Sequence, residues 1–428
     1  MAISKYCIVI SYDAFSKDNW ALASSQPNLS KLLAKGVATT NVKTVYPSLT
    51  YVIHSSYVTG AYPNKHSVYH NNPLQPFVAE KDQDWHWFRK DIQLPTIYEA
   101  AREIGLMTAS ILWPVTGKAK IDFNIPEIKA VRGENQVLKI LKSSSKWFTV
   151  QMEMKYGKLR QGIEQPYLDD FITAVTVDTI KSKKPNLLLV HLIDLDDAKH
   201  TGGTKGKHID EVTLRMDRRI GDIVDAVHEA GIYDETTFIV VGDHSQLDVR
   251  YMLYLNKLLY ENGLIYQENG QWRWRAYVQG AGGAAYVHIQ PDDVEAEKLA
   301  IALIADAIEH KGVRISNIFN REQVEDFNAY MPETALYMLD AEEGYAFEDA
   351  IDEELVVDLH ARQKVYATHG YSPKKPNYTS NLLIAGQQVS KNTQLGDVSV
   401  VDIAPTIAHI LGIPFQAPDG KALKDVFK

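Results

Sequence analysis

Apolar residues in this chain gather in short unbroken runs. YCIVISYD (6–13), MTASILWP (107–114), PNLLLVHLIDLD (185–196), TTFIVVGDH (236–244) and NLLIAG (381–386) are rich in Val, Ile and Leu without alternation. A strand covered on both faces reads this way, so these five predict buried parallel strands. Between them apolar positions recur at helical spacing, in 28–36, 96–105, 167–183 and 208–231, and several of these stretches end in Gly, the usual helix stop. The alternation predicts an α/β fold: a doubly wound, mostly parallel sheet with helices on both faces.

The rhythm breaks after residue 250. WRWRAYVQG and GGAAYVHI predict a glycine-joined hairpin, and DDVEAEKLAIALIADAIEHKG an amphipathic helix. The pattern predicts a core from 1–250 and 351–428, with a small α+β cap inserted at 251–350. QGAGGAAY (279–286) precedes a strand, the reverse of the order a phosphate loop needs, and reads as part of the hairpin.

Composition narrows the function classes. A net charge of −9 over 428 residues argues against a nucleic-acid polymer as partner, while leaving room for a small phosphate ester bound through a local metal site. The single cysteine, Cys7, sits inside an apolar run, so neither an internal disulfide nor a cysteine-held zinc is available. No run is long enough to span a bilayer and no leader pattern precedes the first strand, which predicts a cytoplasmic protein. Oligomeric state is not readable.

The chemistry lies at the strand ends. The runs discharge Asp13, then Asp196 and His200 in DLDDAKH, then Asp243 and His244, and beyond the cap His369 in VYATHGY. Singly, each is as well explained as a turn residue or helix cap. Together they converge, because parallel strands open their carboxyl ends on one edge, where ligands bind. So many close carboxylates repel unless cations neutralise them. Three Asp and three His suit two divalent ions, and imidazole favours zinc, with manganese as the alternative. Such a pair can clamp an in-line displacement at phosphorus. Thr50, near the start of a predicted helix in YPSLTYVIHSSYVTG (46–60), is then either a helix cap or a metal-activated nucleophile. Beside such a site the second reading is the better one.

The order of these elements resembles the alkaline phosphatase superfamily, in its type I phosphodiesterase/nucleotide pyrophosphatase branch. The matching motifs are Asp13, Thr50 with His54, TGAYPNKH (59–66), Asp196 with His200, Asp243-His244 and HGY (369–371), followed by the tail DIAPTIAHILGIP (402–414). The resemblance covers the core, and the cap least. It implies one metal held by Asp196, His200 and His369, and another by Asp13, Asp243 and His244 with Thr50. It also implies that Asn71 donates to a phosphoryl oxygen. The activity implied is phosphoryl hydrolysis through a covalent phosphothreonine on Thr50, released by water with retention at phosphorus, on a diester or pyrophosphate. Phosphomonoester or phosphonate hydrolysis and a mutase are alternatives on the same site, and a degenerate metal-binding interaction protein is the non-enzyme alternative. The C/S-x-P-x-R motif of sulfatases is absent.

The chain departs from the branch in two places. Val52 and Ile53 follow Thr50 where Pro and Asn are common, and Ser245-Gln246 follow Asp243-His244 instead of Gly-Met. These departures bear on substrate preference more than on the metals. Asp194 is the alternative to Asp196, which its offset of four from His200 favours. Trp85 and Trp87 in DWHWF read as packing residues or a base-stacking surface. Trp113 matches a position near the branch's pocket, or is a buried strand-end aromatic.

Overall fold

A computed structural model describes residues 2–391 and 395–428. Its central sheet has eight strands, in the order Val398–Ser399, Gly36–Lys43, Ser380–Gly386, Thr236–Gly242, Tyr6–Tyr12, Leu187–Leu192, Thr108–Ile111, Phe123–Ile125. Both faces are covered, as the unbroken apolar runs require. Cys7 and Val9 pack with Val52 and Tyr57 on one side, while Ile8 and Ile10 pack with Ile172 and Ile220 on the other.

One strand departs from the expectation. Ser380–Gly386 runs antiparallel to both of its neighbours, Thr236–Gly242 and Gly36–Lys43. The reason lies in where the chain comes from. It leaves the strand-end edge at His369, so it enters the sheet from that edge and must run back. The reading also missed Gly36–Lys43, whose pattern of burial is broken, with several half-exposed residues in its middle. That strand shortens the preceding helix to Pro27–Leu33.

After Thr236–Gly242 the chain builds a separate four-stranded antiparallel sheet. Ala276–Ala281 pairs with Ala284–Ile289, which pairs with Ala335–Ala341, which pairs with Ile315–Asn320. The helix Val294–His310 accompanies it, its N-terminus capped by the Asp293 carboxylate accepting from Ala296 N–H. The expected hairpin forms, but its first arm starts at Ala276. Trp272 and Trp274 belong to a short ribbon with Ile265–Glu268. A small sheet ties this region back to the core side of the chain, pairing Tyr251–Leu253 with Tyr345–Phe347 and Val356–Asp358.

A buried ion cluster locks the helices beneath the strand-end edge. Arg219, on the helix Lys207–Glu229, reaches Asp194 Oδ2 at 2.7 Å, Asp170 Oδ1 at 2.9 Å and Asp169 Oδ2 at 3.5 Å. Asp194 opens the helix Asp194–Gly202, and Asp169 accepts from the backbone N–H groups of Ile193 and Asp194. One guanidinium therefore sets where that short helix begins. Removing it strands buried carboxylates. Arg219→Met should cost about 3–5 kcal/mol in urea unfolding. Arg215→Met, which breaks only the more exposed pairing with Asp194, should cost about 1 kcal/mol or less. Equal losses would show that burial of the Arg219 partners is not what matters.

Candidate active site

The strand-end residues meet around one atom. His244 Nε2 lies 3.2 Å from Asp13 Oδ1 and 3.4 Å from Asp243 Oδ2, and 3.3 Å from Thr50 Oγ1. Asp196 and His200 share one face of the helix Asp194–Gly202, as an i,i+4 pair must, with Oδ2 to Nε2 at 3.3 Å. The ring of His369 stacks on His244 at 3.9 Å and meets His200 edge-on at 5.3 Å. Ligand atoms of Asp196, His200 and His369 lie within 4.8 Å of one another, and so do those of Asp13, Asp196 and His244.

Backbone carbonyls orient two of the imidazoles. His200 Nδ1 donates to Ala367 O at 2.7 Å, and His369 Nδ1 donates to Ser48 O at 3.0 Å. Each ring is thereby fixed in the tautomer whose Nε2 lone pair is free to bind a cation. The turn under His369 needs glycine. Gly282 has φ +68°, and a Cβ there would lie 2.2 Å from His369 O, while Gly283 N–H donates to that same carbonyl.

The protein alone leaves this cluster unbalanced. Asp13 Oδ1, Asp243 Oδ2 and His244 Nδ1 are buried without a hydrogen-bond partner. Burial and the neighbouring charge of Asp13 push Asp243 up to about 7. Burial opposes a charge on His244, yet Asp243 and Asp13 outweigh it and lift the imidazole to about 9. Burial, reinforced by His244, drops His369 to about 3, so that ring stays neutral. Buried carboxylates held this close together repel one another, and divalent ions between them would offset that cost. The donor set of carboxylate, imidazole and hydroxyl fits such ions.

Thr50 is the first residue of the helix Thr50–Thr59. Leu49 occupies the capping position and its side chain makes no cap bond; the amide of Asn71, from outside the helix, takes up one N-terminal N–H instead. The Thr50 hydroxyl thus faces the cluster instead of closing its own helix. Asn71 Oδ1 accepts from Tyr51 N–H at 3.0 Å, which turns its amide nitrogen out beside Thr50 in the same cavity. His54, one turn on, is no free ligand: Nδ1 donates to Thr50 O at 2.8 Å and Nε2 accepts from Ser11 Oγ at 3.0 Å.

Several contributors escaped the sequence reading. His191 hides inside the apolar strand Leu187–Leu192, where its Nε2 holds Asp13 Oδ2 at 3.2 Å and its Nδ1 faces Glu127 Oε2 at 3.4 Å. An imidazole inside an otherwise apolar buried run was the available signal, since buried polar groups need partners. Lys199 is fully buried and donates to Ala14 O at 2.6 Å and Asn19 Oδ1 at 2.9 Å. It ties the Asp196/His200 helix to the loop after Asp13. Gln246, at one of the departures from the branch pattern, donates to Asp196 Oδ1. Asp194 is taken by Arg215 and Arg219 and lies outside the cluster. Trp113 is buried edge-on against His54 at 4.8 Å, and Trp87 is in the core. Trp85 lines the cavity.

That cavity measures about 1090 Å³. Thr50, Asn71 and the cluster residues Asp13, Asp196, His200 and His369 line it, together with the aromatic rings of Phe77, Trp272, Tyr277 and Phe347. Eight carboxylates line it, among them Glu80, Glu348, Asp349 and Asp352, which lie outside the cluster. Among the described residues no lysine or arginine does.

Fold and cluster together give an alkaline phosphatase-like architecture with a candidate metal centre at the strand-end edge. The chain belongs to the type I phosphodiesterase/nucleotide pyrophosphatase family, whose pattern it matches over residues 7–372. It is similar to mouse bis(5'-adenosyl)-triphosphatase enpp4, 23% identical over 416 residues that cover 95% of this chain and 77% of that protein. It is also similar to human ectonucleotide pyrophosphatase/phosphodiesterase family member 1, 24% identical over 243 residues, 54% of this chain but 23% of that protein. The match thus spans about a quarter of that relative's length. Human ectonucleotide pyrophosphatase/phosphodiesterase 5 has the same fold, with a TM-score of 0.70 at 17% identity, covering 99% of this chain and all of that one. Its murine counterpart, also at 0.70, was solved as an inactive variant in complex with AMP.

The two neighbouring aspartates should separate cleanly. Asp196→Asn should weaken uptake of zinc in a metal titration and leave urea stability nearly intact. Asp194→Asn should do the reverse. If both substitutions weaken metal uptake alike, the Arg215 and Arg219 pairing is not the main role of Asp194.

Proposed function

We propose that this protein is a two-metal phosphodiesterase in which Thr50 is the nucleophile. One observation carries the reading: the Thr50 hydroxyl sits 3.3 Å from His244 Nε2, beside one buried oxygen each of Asp13 and Asp243 that has no hydrogen-bond partner. Asp196, His200 and His369 would hold one ion, and Asp13, Asp243, His244 and Thr50 the other. Zinc is the expected ion, with manganese as the alternative. Bound there, the ions would acidify the hydroxyl and neutralise charge on the phosphoryl group.

The chain's own groups do the positioning. The Thr50 oxygen attacks phosphorus as the bond to the departing oxygen breaks, leaving a phosphothreonine. Water then breaks the phosphorus–Thr50 bond from the opposite side, so configuration at phosphorus is retained overall. Asn71 donates its amide N–H to a non-bridging oxygen. The N-terminus of the helix Thr50–Thr59 adds backbone N–H groups and a favourable dipole for an anion.

The cavity narrows the substrate class. A wall with carboxylates and no lysine or arginine repels a polyanionic departing group. A diester whose departing group is uncharged or cationic, with an aromatic or apolar part for Phe77, Trp272 and Tyr277, suits it better than a polyphosphate. These last two, with Phe347, come from the inserted cap proposed for 251–350, which would select the departing group. Burial pushes both Glu348 and Asp349 up to about 7. Their charge therefore grows as pH rises through neutrality, and discrimination against polyphosphates should grow with it. A kcat/KM comparison of a neutral aryl nucleotide diester with a nucleoside triphosphate, run on either side of neutrality, checks this. A triphosphate preferred at every pH would contradict the charge argument.

Thr50 substitutions separate its chemistry from any structural role. Thr50→Ser should keep substantial activity. Thr50→Ala should lose activity on the order of 10³-fold or more, with less than about 1 kcal/mol of stability, because the hydroxyl caps nothing. Thr50→Asn should be as inactive as Thr50→Ala. Rapid quench with phosphorus-labelled diester should leave label on Thr50 in the parent protein. Full turnover by Thr50→Asn would make water the attacking group.

A further inference from the structure

One stretch of surface has the character of a membrane-contacting face. Of the fifteen large hydrophobic side chains exposed among the described residues, seven fall between positions 137 and 167. The most exposed are Trp147 at 87% and Met154 at 83%. Both lie on the helix Lys146–Tyr156, seven residues apart and hence on one face. The opposite face of that helix is already anchored, by Phe148 against Phe123 at 5.3 Å and by buried Met152. Val137 and Leu138, about 60% and 55% exposed, project from the adjoining helix Gln136–Ser143.

Charge singles out the same surface. Between residues 139 and 160 the chain carries six lysines and arginines against one glutamate, in a protein of net charge −9. Lys139, Lys155 and Arg160 are paired with Glu134, Asp178 and Glu153. Lys142, Lys146 and Lys158 are exposed and have no ion-pair partner among the described residues. Protruding apolar side chains set among free lysines are the chemistry of an interfacial amphipathic surface, with tryptophan at the depth of the headgroups.

We infer that the face formed by helices Gln136–Ser143 and Lys146–Tyr156 docks peripherally on a bilayer bearing anionic headgroups. The contact is interfacial, since no helix among the described residues is long and apolar enough to cross a membrane. A second copy of the chain fits less well, because a self-complementary contact would set the same lysines against each other. The segment leading into the first of these helices reaches the cavity lining. Arg132, four residues before the first helix, donates to Gln75 Oε1 at 2.8 Å and pairs with Asp84, and Gln75 lines the cavity. The inference stands apart from the identity of the nucleophile, since none of its residues belongs to the metal cluster.

The test is flotation of the full-length protein with vesicles of phosphatidylcholine alone or mixed with phosphatidylglycerol. Binding is expected only to the phosphatidylglycerol vesicles, and should weaken as salt is raised. Replacing Lys142, Lys146 and Lys158 together by Gln should weaken it on the order of a hundredfold. Trp147→Glu should abolish it, as should Met154→Glu, which serves as the second variant should either fold poorly. Turnover of a soluble diester by the well-folded variants should stay at the parent rate. The inference is overturned if the parent does not float with phosphatidylglycerol vesicles, or binds both kinds equally. It is overturned too if sedimentation equilibrium finds a dimer that Trp147→Glu dissolves, which would make the face a contact between copies.

Discussion

Everything near the strand-end edge answers to one electrostatic constraint. Asp13, Asp243 and Asp196 are brought together with His244, His200 and His369 where water cannot reach all of them. Such a group is costly as it stands, because protons are the only counter-charges the chain can recruit. The surroundings oppose collapse of the cluster. His191 holds Asp13 from behind, and Ala14 N–H donates to Asp243 Oδ1. Gln246 holds Asp196, and Ser48 and Ala367 aim the imidazoles of His369 and His200. Lys199 and Arg219 fix the short helix carrying Asp196 from its two sides. These supports keep a cation-shaped set of ligands in place when folding energetics alone would favour dispersing it.

Much of this was legible in the chain. Unbroken apolar runs identified the strands because both faces of the sheet are covered, and the acids and imidazoles at their ends follow from the shared direction of parallel strands. The order of Thr50, Asp196, His200, Asp243, His244 and His369 carried the resemblance. Other features were not legible, each for a physical reason. The direction of Ser380–Gly386 depends on where the chain re-enters after a long excursion, which local pattern does not encode. Gly36–Lys43 lacks a clean pattern because its burial is broken along its length. His191 looked apolar by its neighbours. Arg219 and Lys199 look like ordinary helix-surface residues until tertiary packing buries them.

The departures from the branch pattern are instructive in the same way. Gln246 stands where another residue type is common, and it reaches an Asp196 oxygen. Val52 and Ile53 are fully buried in the sheet-facing side of their helix and so tune packing behind Thr50, not the cavity in front of it. On the proposed function, substrate choice would rest instead with the aromatic rings and carboxylates that line the rest of the cavity. The chain and its fold belong to the family, while this cavity's charge is where, on the proposed function, a particular substrate would be chosen.

On the proposed function, Thr50 and His244 would share one cation while Asp196, His200 and His369 would hold another. Anomalous diffraction from crystals grown with zinc tests it most directly. Two peaks are expected, one within coordination distance of Thr50 Oγ1 and His244 Nε2, and the other within coordination distance of His200 Nε2 and His369 Nε2. A single peak, or two peaks neither of which touches Thr50, would contradict it.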